Sequence, residues 1–379
     1  MFSKVPNSKQ PAQIQQASRT LKHPPKQPRR LSQKLTAAVA MLMVSGTALA
    51  AEFNFKMHHQ LPPSSGVHTR LLVPWAEAIE QESNGRIHID VYPAMQLGGK
   101  PPQLFDQSRK GMVDITWTVA GYTPGRFNKS EVFELPFMAG RAEITSQAIQ
   151  QYADEEMKEA FDDVKLLTIH TNATGVLHSR DKAIHSAADL KDLKVRAPNK
   201  VIAEAYTRMG AMPIFMPAPQ MASALSKGVI DVASLSYDIL GPMKVHELVS
   251  SHTEMSGDRG LYAQVFLFSM NKKSYESLPA DLRAIIDRHS GLPLAAHFGK
   301  VLDEMGDEGK QLAESTHNPI YVIDPQETSH IRELVQPVID DWIADMDAEK
   351  LNGKHLYQRA NELIGEFSKA DASKTAAAL

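Results

Sequence analysis

Between residues 53 and 348 strand-like and helix-like segments alternate without any internal repeat, and that alternation constrains the fold more than any other feature of the chain. Phe53–His58 alternates like a strand, and Ser65–Ser83 carries Val67, Leu71, Leu72, Trp75 and Ile79 at helical spacing before stopping at Asn84-Gly85. Arg86–Tyr92 is a second strand, with Ile87, Ile89 and Val91 on one face. A short helix over Leu104–Lys110, a strand over Val113–Thr118 and an amphipathic helix over Ala142–Asp162 follow. Lys165–Asn172, Gly175–His178, Lys194–Arg196, Val229–Ser234 and Ala263–Met270 read as strands. Helices fall between them at Lys200–Met209 and Gln220–Lys227, and long helices fill Pro279–Ala313 and Gln326–Ala348.

This order predicts an α/β chain too long for one core. The expected boundaries are a lobe over 52–173 plus 262–304, and a second lobe with bridging helices over 174–261 plus 305–369. The Ala-rich end, 370–379, is expected to fray. A chain that passes between two lobes more than once builds a cleft with a hinge beneath it, and such proteins close on their ligands.

The first 34 residues hold eight Lys or Arg and no acid, and lead into an apolar stretch from Leu35 to Leu49 that ends in small residues. That pattern reads as a secretory signal peptide over 1–51, its apolar part too short for a retained span, with ordinary Sec export favoured over a twin-arginine route at Arg29-Arg30. Without it the chain keeps 33 Lys and Arg against 44 Asp and Glu, about −11 in net charge, which argues against nucleic acid as a partner. No cysteine is present, so disulfides, thiolate chemistry and a lipidated N-terminal Cys are excluded. The expected location is a periplasm, as a free monomer.

Arg196 ends the run Asp189-Leu190-Lys191-Asp192-Leu193-Lys194-Val195-Arg196, where a guanidinium can present its planar fork to a carboxylate. Its alternative role is an interdomain ion pair. Further segments stand in order along the chain: Ser83-Asn84-Gly85-Arg86 with Tyr92-Pro93, Gln96-Leu97-Gly98-Gly99, and Gly111-Met112-Val113-Asp114-Ile115. Then come Tyr122-Thr123-Pro124-Gly125-Arg126-Phe127, Glu134-Leu135-Pro136-Phe137, Gly228-Val229-Ile230-Asp231 and Met270-Asn271-Lys272. With these segments, the chain over 53–345 resembles the solute-binding subunits of the tripartite ATP-independent periplasmic (TRAP) transporters, the DctP-like family.

The resemblance implies a periplasmic-binding-protein-like fold of class II, two α/β lobes with mixed sheets joined by crossover strands and long helices. It also implies capture of an organic acid for TRAP membrane permease subunits, and it makes Arg196 the carboxylate clamp. Some relatives carry a second arginine where this chain has Val176, which argues against a sialic-acid-like ligand. Trp117 and Tyr122, at a strand end and the loop beyond it, are candidates for the pocket wall or for core packing. His59 and Gln60 end the first strand, His178 shares a strand face with Val176, and Ser234 and Tyr237 stand in a segment that departs from other family branches. Arg126 is expected to tie its loop to Glu131 or Glu134.

Neither a metal nor another cofactor is expected, because adjacent residues such as His58 and His59 point to opposite faces of a strand. The rival reading is a secreted α/β hydrolase-type enzyme, but no Gly-x-Ser-x-Gly elbow, phosphate loop or His-Glu-x-x-His motif supports one. A periplasmic sensor for a receptor kinase would share the pocket and differ in its docking surface. A monocarboxylate, dicarboxylate, aromatic acid or lactam acid would each satisfy one arginine.

Overall fold

A computed structural model describes residues 51–378. The expected leader lies outside the described residues, apart from Ala51. β1 (Phe53–His59) runs through a π-helical turn (Val67–Leu72) into α1 (Val73–Glu82). Pro74 has no N–H for the preceding turn, so the single helix expected over 65–83 changes its hydrogen-bonding pattern there. Then come β2 (Ile87–Tyr92), α2 (Leu104–Arg109), β3 (Ile115–Val119), α3 (Ala142–Glu156) and β4 (Val164–Thr171). Next are β5 (Val176–Ser179), β6 (Lys194–Ala197), α4 (Lys200–Arg208), β7 (Met212–Phe215), α5 (Met221–Ser226), β8 (Val232–Leu235) and β9 (Ser251–Glu254). β10 (Val265–Asn271) is followed by α6 (Lys272–Glu276), α7 (Ala280–Arg288), α8 (Leu292–Ser315), β11 (Ile320–Val322), α9 (Pro325–Ala348) and α10 (Gly353–Ala378).

The strands form two mixed sheets, ordered β2-β1-β3-β10-β4 and β11-β9-β5-β8-β6-β7. β10 is the antiparallel member beside parallel β1, β2 and β3, so the chain has returned to the first sheet after building most of the second. The two stretches that carry it between sheets lie side by side. Gly175 N–H donates to the Tyr262 carbonyl at 2.8 Å, and Gln264 N–H donates to Asn172 Oδ1 at 2.8 Å. They form a short two-stranded hinge.

α8 braces both lobes. A Cβ at Gly299 would lie 2.5 Å from the Ala142 carbonyl at the start of α3, and one at Gly309 would lie 2.1 Å from the Tyr237 carbonyl in the second lobe. Both glycines are therefore required for backbone approach rather than for turning. The long helical stretch expected over 279–313 is interrupted at Gly291, whose φ of 72° ends α7 and whose N–H donates to the Leu167 carbonyl. Three strands have no sequence signature: β7 contains Pro213 on a sheet edge, β9 is the polar run Ser-His-Thr-Glu, and β11 has three residues. The tail expected to fray from 370 is instead helical through Ala378. α10 buries Leu356, Ala360, Leu363 and Ile364, and Arg359 pairs with Glu155 of α3.

Four histidines buried in and beside the sheets are held neutral. His59 is pushed down to about 3 by burial and then by His68 and His58; its Nδ1 accepts from Leu61 N–H, so its Nε2–H donates to His68 Nδ1 at 3.0 Å. His178, also at about 3 through burial and then His252, donates Nε2–H to the Leu235 carbonyl and accepts at Nδ1 from His252, 2.6 Å away. Burial holds His170 and His252 at about 4.

Gly309→Ala and Gly299→Ala are each expected to cost about 1–3 kcal/mol in urea denaturation, as overpacked sites do. Gly365→Ala, where no atom lies within 4 Å of the new Cβ, should be neutral or gain up to about 1 kcal/mol of helix propensity. The unfolded chain protonates its histidines near pH 6.5 and the folded chain only near 3–4. The four therefore give stability that is full above about pH 6.5 and is lost as pH falls, by about 1.4 kcal/mol per pH unit for each. Their imidazole nitrogen shifts should stay at neutral-tautomer values from pH 7.5 to pH 5 in the folded protein, and titration of His178 near 6.5 would contradict the burial account.

Candidate functional site

The two lobes meet over a narrow cavity of about 10 Å³, room for roughly one water molecule. The first lobe contributes Gln60, Leu61, Val67, Trp117, Val119, Tyr122, Phe266 and Leu302, the second Ala218, Asp238 and Ile239, and the hinge Asn172 and Gln264. It opens at the ends of β1 and β3, where the strands of an α/β sheet present ligand-facing loops. Its walls are mostly apolar. Trp117 and Phe266 stack at 4.6 Å between centroids and 13° between planes, and the indole N–H donates to His170 Nε2 at 3.0 Å, so the ring is fixed from behind.

Arg196 is the penultimate residue of β6 and is fully buried. Its Nε donates to the Met216 carbonyl at 3.0 Å, Nη1 to the Ser234 carbonyl at 2.9 Å and Nη2 to Tyr122 Oη at 3.4 Å. All three acceptors are neutral, and among the described residues no carboxylate hydrogen-bonds to this buried cation. Ala218 N–H also donates to Tyr122 Oη, at 3.0 Å. Two donors from the second lobe, a guanidinium N–H and a backbone N–H, thus converge on one oxygen of the first lobe. A carboxylate would accept from the same pair. Ser234 Oγ lies 2.5 Å from both Tyr206 Oη and Tyr262 Oη, packing the layer around the guanidinium.

A second contact joins the lobes nearby. Asn199 accepts Ile202 N–H as the cap of α4 and donates to Glu134 Oε2 at 2.7 Å, while Glu134 Oε1 accepts Val265 N–H. Burial pushes the Glu134 carboxyl up to about 8, against the lowering effect of the hydrogen bond from Val265 N–H. Arg126 does not reach Glu131 or Glu134; it pairs with Asp163 at 3.3 Å and lies 4.7 Å over the Phe105 ring.

The structure therefore brings together Trp117, Tyr122 and Gln60 around the cavity, with Arg196 directly behind the Tyr122 hydroxyl. It sets His59 and His178 apart: each is committed to a histidine partner inside its own lobe. Ser234 is a support of the arginine and does not line the cavity. Tyr237 turns to the other side of the hinge, where its hydroxyl donates to Glu254 at 2.9 Å and it lines a wider, charged recess of about 430 Å³ with Arg141, Asp303 and Lys310. Sequence reasoning missed Asp238, Asn172, Gln264, Phe266 and the Ala218 N–H. Asp238 directly follows Tyr237 and Phe266 lies in the expected strand, but a backbone donor has no sequence signal at all.

Among the described residues no cluster of His, Asp or Glu is arranged to hold a metal ion, and no helix is long and apolar enough to cross a membrane.

Known proteins share this architecture. The model of the bacterial extracellular solute-binding proteins, family 7, matches residues 57–345. A TRAP solute-binding protein from a marine metagenome, specific for aromatic acid ligands and crystallised with 3-hydroxybenzoate, is 42% identical, covers 84% of this chain and 99% of its own, and superimposes with a TM-score of 0.82. A TRAP solute-binding protein of Rhodoferax ferrireducens in complex with copurified benzoate is 41% identical with the same coverage and TM-score. The C4-dicarboxylate-binding periplasmic protein DctP of Rhodobacter capsulatus is 23% identical over 328 residues, 85% of this chain and 96% of that one. This two-lobed chain belongs to family 7 of the bacterial extracellular solute-binding proteins, the solute-binding subunits of TRAP transporters.

Proposed function

We propose that this protein captures an aromatic monocarboxylate in the cleft between its lobes and presents it to a TRAP membrane permease. One observation carries this reading: Arg196 is a fully buried cation whose hydrogen-bond partners among the described residues are all neutral, placed one hydroxyl away from a cavity walled by Trp117, Phe266 and Tyr122. A buried charge without a counter-ion is costly, and an anionic ligand removes that cost. In this reading the carboxylate takes the Arg196 and Ala218 donors from Tyr122 Oη while the ring lies against the aromatic wall. The two similar TRAP proteins that hold benzoate and 3-hydroxybenzoate support the ligand class.

The cavity is too small to admit a ring as it stands, so the ligand enters a parted form and the lobes close on it. The lobes of this reading run over 52–173 with 262–304 and over 174–261 with 305–369. The protein works in the periplasm as a monomer and as a receptor, with no chemistry of its own; the family and the secretory pattern of the leader support this.

In a thermal-shift screen of the mature chain, benzoate and its hydroxylated relatives are expected to raise Tm, and a ligand at 100 times its Kd adds about 2.7 kcal/mol of stability. Succinate and pyroglutamate should give no shift; if they do while every aromatic acid fails, the aromatic reading is wrong. Arg196→Lys keeps the charge but loses the fork, and calorimetry should show affinity falling roughly 10- to 150-fold, the equivalent of about 1.5–3 kcal/mol.

A further inference from the structure

Two side chains of the cavity wall, Gln60 and Asp238, offer oxygens that can accept from a ligand. Gln60, 3% exposed, has its Oε1 buried with no hydrogen bond. Asp238 stands at the end of a polar chain that starts at the hinge. Gln264 N–H donates to Asn172 Oδ1 at 2.8 Å, Asn172 Nδ2 donates to Ser236 Oγ at 2.7 Å, and Ser236 Oγ–H donates to Asp238 Oδ1. Among the described residues no other side chain donates to the second oxygen of Asp238. A buried acceptor left unmatched, as Gln60 Oε1 is, is costly, so a ligand that supplies a donor gains by filling it.

The charges fix the orientation. The ligand's carboxylate is attracted to Arg196 and repelled by Asp238, so the end of the ring away from the carboxylate comes to Asp238. Burial pushes the Asp238 carboxyl up to about 6 while the hydrogen bond from Ser236 holds it down, so near neutral pH it is still mainly ionised and an acceptor.

We propose that Asp238 and Gln60 are specificity-determining residues that read a hydrogen-bond donor on the ring, so that this receptor selects hydroxylated or aminated aromatic acids over the unsubstituted acid. This rests on the aromatic-acid reading of the same cavity. A site built to bond a ligand hydroxyl discriminates strongly against the analogue that lacks it, because its own polar groups are then left unpaired.

The test is calorimetry of the mature chain with benzoate, 3- and 4-hydroxybenzoate, and 3- and 4-methoxybenzoate. At least one hydroxybenzoate is expected to bind 10-fold or more tighter than benzoate, and its methoxy counterpart no tighter than benzoate, since the methyl removes the donor and keeps the oxygen. In Asp238→Ala the preference should fall below about threefold, with benzoate binding equally or more tightly because a repelling charge is gone. Gln60→Met, which keeps the volume and removes the polar atoms, should lower the preference without lowering Tm, and decides the matter if Asp238→Ala fails to fold. Equal affinities for all five acids, or a preference that survives both substitutions, overturns the donor reading alone. Failure of every aromatic acid to bind overturns the aromatic reading and this one with it.

Discussion

A guanidinium with no exposed surface and, among the described residues, only neutral hydrogen-bond acceptors sets the terms for the rest of this molecule. Such a charge survives burial only if its N–H groups are held, and here two lobes cooperate to hold them. Carbonyls of the second lobe fix the Nε edge and one Nη, and a phenol hydroxyl from the first lobe covers the other. The fork is thereby aimed before any ligand arrives. Its affinity for a carboxylate is not diluted by the rotamer freedom that a surface arginine would have to give up.

Holding the fork across a cleft makes the hinge and the brace part of the binding chemistry. Two hydrogen-bonded crossover stretches and the helix Leu292–Ser315 are the covalent and packed links between lobes, and the glycine approaches at 299 and 309 keep that helix against both. The hinge residues Asn172 and Gln264 also line the cavity, so the groups that let the lobes move sense what lies between them.

Much of the fold was legible in the sequence because strand alternation and helical spacing follow from local periodicity. The strands of the first sheet came from that source, whereas Arg196 as a candidate clamp came from the family resemblance of its segment. What escaped was set by tertiary context. Pro213 and the polar run at 251–254 do not look like strands, yet the neighbours β6 and β5 impose pairing on them. His59 and His178 looked like ligand donors because a histidine near a cleft carries the same letters whether it faces a ligand or another histidine; only the fold shows that each is already paired. Tyr237 and Asp238 are adjacent, and which of the two faced the cavity depended on a 3₁₀ turn that no periodicity announces.

The Tyr122 hydroxyl has a consequence for unloading. A receptor that gave up its cargo and left a bare buried cation would face a steep barrier to release, and tight capture would mean slow delivery. In the closed form without cargo, the two donors proposed for a carboxylate go instead to an oxygen of the protein's own. On that reading release becomes an exchange of one oxygen for another, completed when the emptied lobes close and Tyr122 again covers the guanidinium.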